Sequence, residues 1–151
     1  MPNHPSVVIR PIEAGDEAEW RRLWRAYLAF YKTERPEQVY ATTFARLLSG
    51  KPNEFKGFIA LFDGRPVGLT HYLFHRTCWA EADTCYLQDL YADPEMRGKG
   101  IGRALIEAVY AAADDHGAAT VYWMTQDFNA TARQLYDRIA TLTPFIKYQR
   151  P

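Results

Sequence analysis

The residues with the most chemical potential sit in one run, Arg97-Gly98-Lys99-Gly100-Ile101-Gly102-Arg103. Three glycines in five positions remove side chains where the backbone must come close to something. A helical apolar pattern starts at Ile101, and the first amides of a helix have no internal partners. Those amides, with the helix dipole, make a site for an anion such as a pyrophosphate. Arg97, Lys99 and Arg103 add positive charge around the same turn. Two other phosphate loops fail on spacing. A dinucleotide fingerprint counted from Gly98 and Gly100 puts Arg103 where its last glycine belongs, and no Gly-Lys-Ser/Thr closes a Walker-type loop. The remaining alternative is a tight turn that binds nothing.

Other groups with chemistry flank this run. Gln88-Asp89 lies just before it, and a regular strand would point these two side chains to opposite faces. Tyr136 lies further on, either as a proton donor or as a core tyrosine. Tyr27 and Tyr31 are four residues apart on one helical stripe, and Glu34 follows them. Together they offer an aromatic wall that attracts a cation, or they pack in the core with Trp20 and Trp24. Glu81, Asp83 and Asp127 are further carboxylates, each most simply read as solvated charge. His71 and His75 share one face of a regular strand, but two histidines without a third ligand make a poor metal site.

The elements that must position these groups follow from patterning. Ser6 to Ile12 is a β-branched run. Trp20, Leu23, Trp24, Tyr27, Leu28 and Tyr31 keep helical spacing behind Asp16 and Glu17, which suit a helix start. Pro36 suits the first turn of a second helix carrying Tyr40, Phe44, Leu47 and Leu48. Phe58 to Phe62, Asp63-Gly64 and Val67 to Phe74 read as a hairpin. Thr84 to Ala92 is a strand ended by Asp93-Pro94. A helix runs from the Gly-rich turn to about His116, with Gly117 just beyond its end. Thr120 to Thr125 is a strand, Asn129 an N-cap for a short helix, and Phe145 to Tyr148 a last strand. The order βααβββαβαβ implies an α/β (α+β) chain, one domain over residues 1–151, with a mixed, mostly antiparallel sheet and helices on both faces.

Composition narrows the partners. Eighteen basic residues balance eighteen acidic ones, which argues against a nucleic-acid surface or a polybasic membrane anchor. No apolar run approaches the length of a membrane span. Two cysteines, Cys78 and Cys85, are too few for a disulfide framework and read as reduced thiols, so a cytoplasmic protein is expected.

Arg97-x-x-Gly100-x-Gly102 resembles the acyl-CoA pyrophosphate motif of the GCN5-related N-acetyltransferase (GNAT) family. Twenty-seven residues after Gly102, the run from Asn129 to Tyr136 resembles that family's second motif, N-x-x-A-x-x-L-Y. The element order also matches across nearly the whole chain. Tyr86 to Tyr91, Val121 to Thr125 and Phe145 to Tyr148 look similar to members that acetylate histone tails, polyamines or amino acids.

The resemblance implies acetyl-CoA as co-substrate, no metal, and transfer of the acetyl group to a primary amine of a small molecule or peptide. It implies that amides from Gly98 to Arg103, Ile101 among them, hold the pyrophosphate. Leu90, Tyr91 and Ala92 would pair with the pantetheine arm, which Asn129 and Ala132 flank. The next strand would splay away to open a slot. Tyr136 would protonate the leaving thiolate. Gln88 stands where polyamine-acetylating relatives have a glutamate, so the base is open between Asp89, which could instead be structural or face the substrate, the carboxylates Glu34, Glu81, Asp83 and Asp127, and a water route to bulk. Tyr27, Tyr31, Glu34, Gln88, Trp123 and Asp127 would face the acceptor. Alternatives are a CoA sensor without turnover or a different acyl donor. An edge at Phe145 to Tyr148 could pair a second copy into a homodimer.

Overall fold

The computed structural model describes residues 6–151. Its elements are β1 (Val7–Pro11), α1 (Glu17–Phe30), α2 (Glu37–Leu48), β2 (Lys56–Phe62), β3 (Arg65–His75), β4 (Thr84–Ala92), α3 (Ile101–His116), β5 (Thr120–Tyr122) and α4 (Ala130–Ile139). The strands form one sheet in chain order, antiparallel from β1 to β4 and parallel from β4 to β5. This is the mixed, mostly antiparallel sheet that the element order implies. The β2–β3 turn is Asp63-Gly64, with φ of 51° and 81°, the paired positive values that match a two-residue hairpin to strand twist.

Helices cover both faces. Trp20, Leu23, Trp24 and Leu28 of α1 and Tyr40 and Phe44 of α2 bury themselves against Ile12, Ile59 and Leu69. On the other face Ile106, Val109 and Ala113 of α3 pack on Tyr72, Phe74, Cys85 and Leu87, while Ile101 and Leu105 pack on Ala60 and Val67. Asp16 does more than suit a helix dipole. Its carboxylate accepts two bonds from Arg10, at 2.7 and 2.8 Å, and one from the Glu13 amide at 2.7 Å. Among the described residues no helix is long and apolar enough to cross a membrane.

One irregularity shapes the middle of the sheet. His71 opposes Asp89, but Tyr72 opposes Leu87, so β4 carries one extra residue, Gln88. A bulge of this kind bends the strand and raises its local twist. It also resets which face a side chain takes. Leu87 joins the α3-side core, whereas Asp89, two residues on, meets His71 on the α1 side. A regular strand would put both on one face.

Four expectations need correction. Phe145 to Tyr148 forms no strand. Phe145, Ile146 and Tyr148 are 75%, 76% and 89% exposed, and β-propensity without a cross-strand partner does not make a strand. The edge expected to pair a second copy is therefore absent. β5 ends at Tyr122, because Trp123 leaves the ladder to pack on Tyr110 and Tyr136. Pro36 stands at the N-cap of α2 in extended conformation, just outside the first turn. Asn129 precedes α4, but its side chain turns back to Thr125 Oγ1, 3.2 Å away, and does not cap the helix.

Candidate active site

The Gly-rich turn is built by its own backbone. After β4, Asp93 donates to Val67 O at 2.8 Å, a single 3-10 turn covers Pro94–Met96, and the buried Met96 anchors it. Gly98 and Gly100 both have φ of 78°, a region that disfavours any side chain, and Gly100 is the N-cap of α3. A Cβ on either would meet no atom within 4 Å, so the turn's outer face is open. Among the described residues the amides of Gly98, Gly100, Ile101, Gly102 and Arg103 donate to no backbone carbonyl. Lys99 departs from the expected set, because its amide donates to Met96 O at 3.2 Å. Its ammonium lies 5.4 Å over the Phe62 ring, and Arg103 pairs with Glu107 at 2.9 Å. The backbone cradle therefore fits a pyrophosphate, with Arg97 exposed beside it.

A gap leads inward from the cradle. β4 and β5 pair only from Thr84↔Thr120 to Tyr86↔Tyr122 and then part. Beyond that point Leu90, Tyr91 and Ala92 keep β3 on one side and no strand on the other. Half of the backbone groups along this edge of β4 have no ladder partner and face the gap. Leu135 of α4 lies 3.5 Å from where a Gly102 Cβ would stand, so α4 closes over the start of α3.

Asp89 sits where the strands part. The Trp20 indole Nε1–H donates to His71 Nε2 at 2.9 Å, and His71 Nδ1 lies 2.8 Å from Asp89 Oδ2. Indole nitrogen only donates, so Nε2 is the accepting atom and Nδ1–H donates to the carboxylate. Burial pushes the Asp89 carboxyl up, but hydrogen bonding from His71 outweighs it and holds the group below the usual carboxylate range. Trp24 Nε1, on the same side, is a buried donor without a hydrogen-bond partner. Burial and the Asp89 charge drive the Tyr27 hydroxyl far upward, so it stays protonated.

An aromatic wall continues from there. The Tyr27 and Tyr31 rings meet edge to face with centroids 5.0 Å apart. The Tyr31 hydroxyl lies near Thr125, just beyond β5, and burial pushes it up. Tyr136 follows, its phenol pushed up to about 12 by burial first and by Tyr31 second. Trp123 stacks edge-on behind Tyr136 at 5.4 Å. Three elements thus bring a buried carboxylate and a protonated phenol to one gap.

Residues 19–140 match the model of the acetyltransferase (GNAT) family. The chain is 41% identical over 147 residues to the D-amino-acid N-acetyltransferase HPA3 of Saccharomyces cerevisiae, covering 95% of this chain and 90% of that one. The chain belongs to the acetyltransferase (GNAT) family. It is 37% identical to the thialysine N-epsilon-acetyltransferase of Sus scrofa, over 87% of this chain and 81% of that protein. The fold matches the aminoglycoside N-acetyltransferase AAC(6')-Iy solved with CoA at a TM-score of 0.85 and 17% identity, over 100% of this chain and 98% of that one. The protein is an acetyl-CoA-dependent N-acetyltransferase.

Not every residue expected at the site of this acetyltransferase converges on it. Asp89, Tyr27, Tyr31 and Tyr136 do. Trp123 backs Tyr136 and belongs to the α3-side core. Glu34 lies exposed beyond the end of α1, and Asp127 is exposed with its carbonyl taken by Arg133 at 2.6 Å. Gln88 is the exposed bulge residue. His71 and His75 do not act as a pair, since His75 contacts Tyr122 while His71 is committed to Trp20 and Asp89. His71, Trp20 and Trp24 are the site residues that sequence reasoning missed. Its signal was a polar ring inside an apolar strand, and the bulge hid what that ring faces. The cradle makes a prediction of its own. Gly100→Ala raises the KM for acetyl-CoA by roughly tenfold, through backbone strain at φ 78° and a methyl on the open face, and leaves the acceptor KM within about twofold. Steady-state kinetics with each substrate varied in turn check it.

Proposed function

We propose that this acetyltransferase transfers acetyl directly to the amine of a free amino acid, held as a cation by Asp89 before attack. The observation that carries this reading is the largely buried Asp89 carboxylate, beside Tyr27 and Tyr31 where β4 and β5 part. The two relatives named above act, by their names, on a D-amino acid and on thialysine, and both are small amines. D-Amino acids are the leading acceptors, given the 41% identity over 95% of the chain.

Acetyl-CoA supplies an activated acyl thioester with a thiolate leaving group. The chain's residues divide the remaining work. The amides of Gly98, Gly100, Ile101, Gly102 and Arg103, with Arg97 beside them, hold the pyrophosphate. Leu90, Tyr91 and Ala92 offer a backbone edge to the pantetheine arm, which Asn129 and Ala132 flank. Tyr136, protonated across the physiological range, donates a proton to the leaving sulfur. Asp89 anchors the amine and is a poor base, because its proton affinity is held low. Gln88 carries no group that takes a proton, so the amine loses its proton to solvent through the open gap. Cys85 is buried, with its thiol pushed up to about 11, and Cys78 is exposed in the β3–β4 connection, so this reading uses no covalent intermediate on a cysteine.

A homodimer accompanies this reading, with Phe145 to Tyr148 contributing exposed apolar surface and not a strand edge. Leu142, Phe145, Ile146, Tyr148, Trp79, Met124 and Phe128 are all exposed, and β5 ends the sheet with an open outer edge. Exposed apolar surface beside an unpaired strand marks a place for association. A cytoplasmic setting fits the two unpaired cysteines.

Two experiments test these readings. Free thiol is followed with acetyl-CoA and a panel of D- and L-amino acids, lysine, spermidine, an aminoglycoside and a Lys-rich peptide. Release is expected to depend on amino acids, D-isomers foremost, and to fall about a hundredfold in kcat in Tyr136→Phe. Acetyl-CoA binding without release from any acceptor favours a sensor and contradicts the proposal. For assembly, light scattering is expected to give twice the 17.4 kDa chain mass, and a single 17.4 kDa species refutes the dimer.

A further inference from the structure

We propose that Trp20 and His71 form a positioning relay for Asp89, in which the indole N–H fixes the imidazole as one tautomer and that tautomer aims the carboxylate at the acceptor. The inference rests on the reading of Asp89 as the acceptor's anchor.

The geometry leaves the imidazole no freedom. His71 is 3% exposed, and Trp20 is fully buried. Trp20 Nε1 lies 2.9 Å from His71 Nε2 and can only donate. Nε2 therefore carries a lone pair, and the ring proton resides on Nδ1, 2.8 Å from Asp89 Oδ2. Both nitrogens are engaged inside the protein, so His71 takes no proton from the acceptor and is not the missing base. Its role is mechanical and electrostatic. It pins one carboxylate oxygen, while Asp89 keeps 13% of its side chain exposed.

Each member of the relay is itself held. Trp20 stacks on Trp24 with centroids 5.3 Å apart and packs on Phe44 at 5.1 Å. His71 and Asp89 sit opposite one another only because Gln88 bulges out of register. A hydrogen-bonded partner of this kind orients a functional group as outer-shell residues orient metal ligands. Any alternative tautomer would set two N–H donors against each other at Nε2 and leave Asp89 Oδ2 without its donor, buried.

Spectroscopy and kinetics test separate halves. In full-length protein labelled with 15N-histidine, long-range 1H–15N correlation is expected to show His71 protonated on Nδ1 with a lone pair on Nε2. A proton on Nε2 overturns the relay. Trp20→Phe keeps a ring and removes the N–H, and is expected to add the second tautomer and raise the acceptor KM by about threefold. His71→Leu is expected to raise that KM by about tenfold, with the acetyl-CoA KM within about twofold. His71→Asn, whose amide N–H reaches near the Nδ1 position, is expected to recover most of the loss. A folded His71→Leu with unchanged acceptor KM overturns the relay, as does His71→Asn faring no better than leucine. If His71→Leu does not fold, Trp20→Phe and His71→Asn carry the same test. Asp89→Asn separates the two claims. If it too leaves the acceptor KM unchanged, the anchor reading falls and the relay with it. If it raises that KM while the His71 variants do not, the relay alone falls.

Discussion

One extra residue in β4 governs the site. Were Gln88 held in the ladder as a regular residue, Leu87 and Asp89 would lie on one face, and the carboxylate could not meet His71 while Leu87 packs under α3. With the bulge, the strand bends. The last β4–β5 pair, Tyr86↔Tyr122, comes two residues before the bulge, so the strands have already parted where β4 bends, and the gap between them is the proposed meeting place of the two substrates. A bulge is the kind of local departure that re-aims side chains beside active sites.

The halves of the gap proposed to take cofactor and acceptor are built by different physics. The cofactor half is backbone: two left-handed glycines, unpaired amides and an open strand edge, held by the buried Met96 and by Ile101 and Leu105 beneath. It tolerates changes of side chain around it, since Lys99 and Arg103 are already turned towards Phe62 and Glu107. The acceptor half is side chain: a charge inside the α1-side core, kept ionised by fixed donors in place of water. Such a charge is costly to bury and cannot be moved by small steps. Preorganised donors around a charge also cost nothing to reorganise when a cationic amine arrives.

The contrast explains what could be read from the chain. The cradle and α1 were legible, because glycine spacing and helical periodicity act through neighbours in sequence. The boundaries of β4 and α3 were legible for the same reason, with Asp93-Pro94 and Gly117 as punctuation. The bulge was not, since inserting one residue into Tyr86-Leu87-Gln88-Asp89 leaves no signature of composition. His71 could not be assigned for that reason, and Trp20 read as core, which it also is. Phe145 to Tyr148 misled in the opposite way. Its composition suits a strand, but a strand needs a neighbour, and only the folded chain shows that none is present within it among the described residues.

Direct transfer requires both substrates to occupy this gap together, with no covalent acyl-enzyme. Initial velocities measured with acetyl-CoA and a responsive amino acid varied together test that most directly. Double-reciprocal lines that intersect are the predicted result, because each substrate must be bound before acetyl moves. Parallel lines would contradict the account, since they require a nucleophile on the protein that neither Cys85 nor Cys78 is placed to supply.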